Sequence, residues 1–131
     1  SMGTNFFMLY KDNANWFDYC CAFNVILISK YMVPKGYSGL SLYPFILLKD
    51  ESLRCNRVLL NHERIHLRQQ LELLIIPFYI LYTLEFLVRL MLCRKWQKAY
   101  PNISFEREAY KNEKNLDYLK TRSFLAFVKF L

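Results

Sequence analysis

Residues 61–66 read Asn-His-Glu-Arg-Ile-His, and this stretch decides how the rest of the chain is interpreted. From about Arg54 onward, apolar residues recur at helical spacing with charged residues between them, which predicts an α-helix that ends or kinks at Pro77. Residues four apart lie one above the other on a helix face, so His62 and His66 can reach one tetrahedral ion. No other histidine occurs in the chain. The stretch therefore predicts a zinc site with these two side chains as ligands.

Glu63 lies between the two histidines and is the candidate general base. It projects beside the expected ion, where its carboxylate can accept a proton from a water molecule and later pass it to a leaving amine. A zinc ion at this place lowers the pKa of the water and polarises a carbonyl group. The residue types and their spacing thus predict hydrolytic chemistry at a single metal centre.

A carboxylate downstream of the motif is the candidate third ligand. Ser104 is a candidate N-cap for a helix over residues 105–120. One face of that helix carries Glu106, Ala109, Tyr110, Glu113 and Asp117. Glu106 leads this face and is the expected ligand, with Glu108 and Glu113 as the alternatives. The competing interpretation is a cluster of acids that the helix dipole favours near an N-terminus.

The motif, followed by a helix that carries glutamate, resembles the gluzincin metallopeptidases. Residues 60–68, with a downstream Glu-x-x-Ala at 106–109, are similar to the peptidase domains of antibiotic-sensing receptors. A closer likeness, over roughly residues 40–131, is to short bacterial proteins typical of the Bacteroidetes, which pair an N-H-E-R-I-H-x-R-Q-Q run with F-E-R-E-A-Y. The resemblance implies a minimal zincin-like domain and a zinc-dependent metallopeptidase, and it implies no substrate.

Two residues depart from the gluzincin pattern. Arg64 stands where uncharged residues are preferred, and Tyr110 holds the place at which many relatives carry an Asp that supports a ligand histidine. Tyr110 either donates a hydrogen bond to a developing oxyanion, as a second catalytic residue beside Glu63, or simply packs against its neighbours. We expect zinc binding in spite of both departures, and weak or absent cleavage of generic substrates.

The residues before the motif predict a small antiparallel sheet or hairpin. Val25–Val33 is rich in branched residues and Gly39–Leu48 reads as a second strand, with a turn between them. Pro44 indicates an edge position for the second strand, because proline cannot donate to the ladder. In zincins an edge strand beside the motif helix holds peptide by backbone pairing, and Ser41–Leu48 is the candidate for that role. With three to four helices after the sheet, the expected fold class is α+β.

The segment Ile75–Leu92 predicts a second, very apolar helix. Its strictly apolar part before Glu85 is shorter than the about 20 residues that span a bilayer. Glu85 and Arg89 lie four apart and form a helical ion pair that a spanning segment would not favour. We expect a central core helix, and the alternative is an interfacial or re-entrant helix at a membrane.

Length and composition indicate one domain, expected to span residues 3–131 because Ser1 and Met2 resemble a cloning remnant. The net charge of +7, with 18% aromatic residues, favours an anionic partner. No nucleic-acid motif is recognisable, so we expect peripheral membrane contact rather than nucleic acid, and the oligomeric state stays open.

Four cysteines outside any C-x-x-C pair, without a signal peptide, favour the cytoplasm, with or without association with the inner face of the membrane. Residues 16–23 are assigned a short helix or strand.

Two functions remain open at this point. The first is a zinc-dependent metallopeptidase or related hydrolase that acts on a peptide or protein substrate. The second is a non-catalytic interaction module in which zinc is a structural staple, with or without contact with a membrane surface. The coordination of the ion distinguishes them, because an open fourth position favours catalysis and a fourth protein ligand favours a structural role.

Overall fold

Three short strands open the described part of the chain. The computed structural model describes residues 25–131, so the helix or strand expected at 16–23 lies outside the described residues. β1 covers Val25–Ile28, β2 covers Gly39–Leu42 and β3 covers Phe45–Leu48. The strand order is β1-β3-β2, so β3 is central and β2 forms an edge.

The predicted antiparallel arrangement is half correct. β2 and β3 pair antiparallel, whereas β1 pairs with β3 in parallel, so the sheet is mixed. The strand predicted over Gly39–Leu48 is two strands, because Pro44 lies in the turn between them, where its missing N–H breaks no ladder bond. The edge strand beside the motif helix is therefore Gly39–Leu42 and not Ser41–Leu48.

Helix α1 covers Arg57–Leu73 and carries the motif, as predicted. It follows a short 3-10 helix at Glu51–Cys55 and is capped by Asn56, whose side chain accepts from the backbone N–H of Leu59. Apolar side chains from the sheet and from α1 form a first core cluster, which contains Ile46, Leu48, Leu60 and Leu67. This cluster packs α1 on the sheet, and α1 also contacts β2, which sets the motif beside the edge strand.

Helix α2 covers Ile75–Cys93 and is separated from α1 by Leu74, whose φ is 64°. The break therefore comes before Pro77, which lies in the first turn of α2, where the lack of an N–H breaks no helical hydrogen bond. The prediction of a central core helix is wrong, because Phe78 is the single buried residue of α2. In the part of the chain that the structure describes, α2 is the one helix long and apolar enough to cross a membrane.

Short helices complete the chain. They are α3 at Trp96–Ala99, α4 at Ser104–Asn112 and α5 at Tyr118–Thr121, with 3-10 helices at Tyr100–Asn102 and Ala126–Phe130. The helix predicted over 105–120 is thus two helices, although the α+β class is confirmed. The prediction of Ser104 as N-cap is wrong, because Ile103 precedes the helix and Ser104 is its first residue, whose N–H and hydroxyl both donate to Glu85 of α2. A second core cluster joins Phe78, Ile103, Phe105 and Phe127 between α2, α4 and the C-terminal 3-10 helix.

Candidate metal centre

Three buried side chains from two helices converge on one point. His62 and His66 come from α1, and Glu106 comes from the first turn of α4. The two Nε2 atoms lie 3.1 Å apart. Oε2 of Glu106 lies 3.3 Å from Nε2 of His62, and Oε1 of Glu106 lies 3.3 Å from Nε2 of His66. One ligand atom from each residue lies within 4.8 Å of the other two. The residues expected from the sequence are therefore close enough to hold a metal ion.

The hydrogen bonds around the imidazoles leave both Nε2 atoms available to a cation. His62 Nδ1 lies 2.8 Å from a carboxylate oxygen of Glu113, and His66 Nδ1 lies 2.8 Å from Oε1 of Gln69. Both partners are acceptors, so the Nδ1 atoms carry protons, and once Nε2 of His66 has lost its own proton the two Nε2 lone pairs face one another. Oε2 of Glu106 is buried and accepts no hydrogen bond from the described residues. Two imidazoles and a carboxylate with converging lone pairs fit a transition metal such as zinc.

Glu113, an alternative third ligand in the sequence, instead orients His62. It follows directly after α4, where the chain turns. Asn61 fixes this turn, because its Nδ2 donates to the backbone carbonyls of Glu113 and Asn115 at 2.8 and 3.0 Å. The residue before the first histidine thus holds the carboxylate that sets the tautomer of that histidine.

Gln69 gives His66 the same kind of support. Its Oε1 accepts from His66, while its Nε2 donates to the carbonyl of Phe105 and to the carboxylate of Glu108. Glu108 is fully buried, pairs with Arg122 and accepts from the hydroxyl of Tyr118. Glu108, the other alternative ligand, therefore does not join the metal ligands, and instead accepts a hydrogen bond from Gln69.

The carboxylate of Glu106 is placed and charged by its neighbours. The hydroxyl of Tyr82 on α2 donates to Oε1 at 2.7 Å, which leaves Oε2 as the oxygen free for a ligand bond. Burial alone would raise the pKa of Glu106, but the two histidines outweigh burial and hold that pKa well below its usual range. Burial likewise opposes a charge on His66, yet the carboxylates of Glu106 and Glu63 raise its pKa to about 9 in the metal-free site.

Glu63 lies on the same buried face and meets the edge strand. Burial raises the pKa of its carboxyl group, while the neighbouring histidines act in the opposite direction. A Cβ atom built on Gly39 of β2 would lie 3.0 Å from Oε1 of Glu63. The absence of a side chain at Gly39 is therefore what lets this carboxylate lie beside the metal ligands.

A cavity of about 470 Å³ opens onto the metal centre. Gly39 and Ser41 of β2 form one wall, and the aromatic side of α2 forms the opposite one, with Tyr79 and Phe86. Glu63, His66 and Glu106 also line this cavity. A substrate group that enters this cavity reaches the metal ligands and the candidate base together.

Arg64 and Tyr110, the two residues that depart from the gluzincin pattern, lie in different surroundings. Arg64 is exposed on α1 and lies outside the cavity wall. The ring of Tyr110 packs edge-on against His62, with centroids 4.7 Å apart, and burial raises its pKa to about 12. The cavity wall contains Tyr100 and Tyr82 instead. The role of Tyr110 as a hydrogen-bond donor to an oxyanion stays a prediction.

Gln69, Tyr82 and Tyr100 support the ligands and are not among the site residues predicted from the sequence. Gln69 follows His66 by three positions, which puts both on one helix face, and this spacing is the signal that could have assigned it. Tyr82 and Tyr100 had no such signal, because only the packing of α2 and of the 3-10 turn brings them to Glu106. No family model, no curated protein and no solved structure matches the chain.

Proposed function

We propose that the chain is a zinc-dependent metallopeptidase or closely related hydrolase. The observation that carries the proposal is the buried group of His62, His66 and Glu106, of which His66 and Glu106 line a cavity together with Glu63. Among residues 25–131, no fourth ligand side chain joins the three. An ion held in this way keeps a position for substrate, which a structural zinc site does not.

The residues of the site divide the chemistry between them. A bound zinc ion supplies Lewis acidity, which activates a water molecule and polarises a carbonyl group. Glu63, with a raised pKa, accepts the proton of the attacking water and delivers it to the leaving amine as the C–N bond breaks. Tyr100 lines the cavity, and burial raises its pKa, so its hydroxyl stays protonated and can donate a hydrogen bond to a bound group, whereas the proton of Tyr82 is already donated to Glu106.

The edge strand favours an extended peptide as substrate. The carbonyl oxygen of Ser41 accepts from Tyr79 and from Gln70, on the side away from β3. The backbone of Gly39 has the same orientation, because alternate residues of a strand face the same way. A peptide added to β2 would therefore pair first at Gly39, directly in front of Glu63.

Two measurements on the purified protein test the proposal. Elemental analysis is expected to find about one zinc per chain in the wild type and in Glu63→Gln, and none in His62→Ala. A peptide library with mass-spectrometric readout is expected to show cleavage at a restricted set of peptides by the wild type and none by Glu63→Gln, since Gln cannot accept the proton. Zinc in both proteins with identical cleavage profiles would favour the non-catalytic module. The absence of zinc binding would remove the proposal altogether.

A further inference from the structure

The outward half of α2 is a continuous apolar surface. At about 100° per residue, the exposed side chains of α2 fall within one half of the helix circumference. We name this set the apolar face: Ile76, Pro77, Ile80, Leu81, Thr83, Leu84, Leu87, Val88, Met91 and Leu92. Ile76, Met91 and Leu92 are at least 70% exposed, so the surface extends from one end of the helix to the other.

Apart from Thr83, the polar side chains of α2 point the other way. Glu85 accepts two hydrogen bonds from Ser104 and pairs with Arg89 at 3.3 Å. Tyr79 and Tyr82 donate to Ser41 and Glu106 within the protein. A surface helix in water normally directs apolar residues inward and charged residues outward, and α2 has the reverse arrangement. An uninterrupted apolar surface of this kind marks a contact with something apolar.

The dimensions and the charges around α2 fit a lipid bilayer. Nineteen residues give a helix of about 28 Å, so the apolar face offers a long contact to acyl chains. Arg94, Lys95 and Lys98 follow directly after the apolar face and are exposed. Basic residues at the end of an apolar helix bind anionic headgroups, and the net charge of +7 has the same sign.

We propose that α2 is a membrane-contact helix that lies in the plane of an anionic bilayer. Its apolar face enters the acyl-chain region, and the basic residues after it meet the headgroups. The inward half remains packed on the domain, so Glu85 and Arg89 stay inside the protein and out of lipid. This inference concerns where the protein sits and holds whether or not the metal centre is catalytic.

Vesicle flotation with the full chain tests the proposal. The wild type is expected to bind vesicles of equal parts phosphatidylcholine and phosphatidylglycerol more than tenfold better than vesicles of phosphatidylcholine alone. The double variant Leu84→Gln and Leu87→Gln is expected to lose about a hundredfold in affinity, because two half-exposed leucines no longer enter the acyl chains. Leu116→Gln, at a site of similar exposure outside α2, is the matched control and should bind as the wild type does.

A second measurement needs no substitution. Hydroxyl-radical footprinting of the wild type on anionic vesicles is expected to protect Met91 and to leave Met32 reactive, since both are exposed in the free protein and only Met91 lies on the apolar face. Equal binding by the double variant and the wild type, or equal reactivity of the two methionines, would overturn the proposal. So would a wild type that ignores vesicles and forms a dimer that the double variant breaks, because the apolar face would then bind a second copy of the chain.

Discussion

Glu106 and Glu113 place their carboxylate oxygens in different surroundings near His62. Glu106 offers one buried oxygen without a hydrogen bond to the metal position, whereas Glu113 accepts from Nδ1 of His62. The two residues lie on the same side of α4, so helix phase alone could not separate a ligand from its support. Removing a ligand is more damaging to metal affinity than removing a group that only orients one.

Glu106→Ala is therefore expected to abolish stoichiometric zinc binding, while Glu113→Ala weakens it by about 10- to 100-fold. A competition titration against a chelator of known affinity measures both. Glu51→Ala, at an exposed carboxylate, is the control and should leave the affinity unchanged. An equal loss in the two variants would make Glu113 a ligand rather than a support.

Gly39 makes the position of Glu63 sensitive to a single methyl group. In Gly39→Ala the new Cβ would lie 3.0 Å from Oε1 of Glu63, so the carboxylate must shift, and in the proposed mechanism this shift moves it away from the attacking water. The expected result is a fall in kcat of about tenfold or more, with zinc content unchanged. Ser38→Ala, at the exposed neighbouring position, should have no effect. Normal kcat in Gly39→Ala would show that the base tolerates displacement.

The charge on His66 links metal affinity to pH. Its pKa is raised from 6.5 to about 9, so the metal-free site holds an extra proton at neutral pH, and zinc must displace it. Affinity is therefore expected to rise about tenfold per pH unit up to about 9 and then to level off. Calorimetry in buffers of different ionisation enthalpy should detect about one proton released at neutral pH. Release of no proton there would contradict the charge pattern of the site.

At the scale of the elements, the buried pair between Glu108 and Arg122 fastens α4 to the segment after α5. Both side chains are fully buried, and Glu72 of α1 contacts the same guanidinium. Removing Glu108 would leave the buried guanidinium with Glu72 alone and would leave Gln69 and Tyr118 without their buried acceptor.

Glu108→Ala is expected to lower the free energy of unfolding by about 3–5 kcal/mol, measured by urea denaturation. Glu51→Ala removes the exposed partner of Arg54 and should cost about 1 kcal/mol or less. A similar small cost for both variants would mean that Glu72 alone compensates the charge of Arg122.

The elements that sequence reasoning located well are those with a local signal. The helical period placed α1, and the helix phase separated Glu106 from Glu108. The parallel pairing of β1 with β3 has no local signal, because it joins strands across the whole β2 hairpin. The break at Leu74 was assigned to Pro77, since proline is the visible helix breaker and a leucine with positive φ is not. The apolar sequence of α2 indicates only that the helix favours apolar surroundings. A protein core and a lipid bilayer both provide such surroundings.

At the scale of the whole molecule, α2 separates two environments. Its inward side supplies Tyr79, Tyr82 and Phe86 to the cavity wall, and its apolar face lies on the outside. Tyr79 and Thr83 line the cavity and also a shallow groove on the apolar face. If both proposals hold, a peptide at the membrane surface would lie next to residues that also line the cavity.

The bonds behind His66 continue to the end of the chain. Gln69 contacts Glu108, Glu108 pairs with Arg122, Arg122 pairs with Glu72, and Glu72 accepts from the backbone N–H of Leu125. These contacts connect the side chain behind His66 with the segment that follows α5. We therefore expect that displacing residues 122–125 lowers the affinity for zinc without any substitution at the ligands, because Gln69 would lose the support of Glu108.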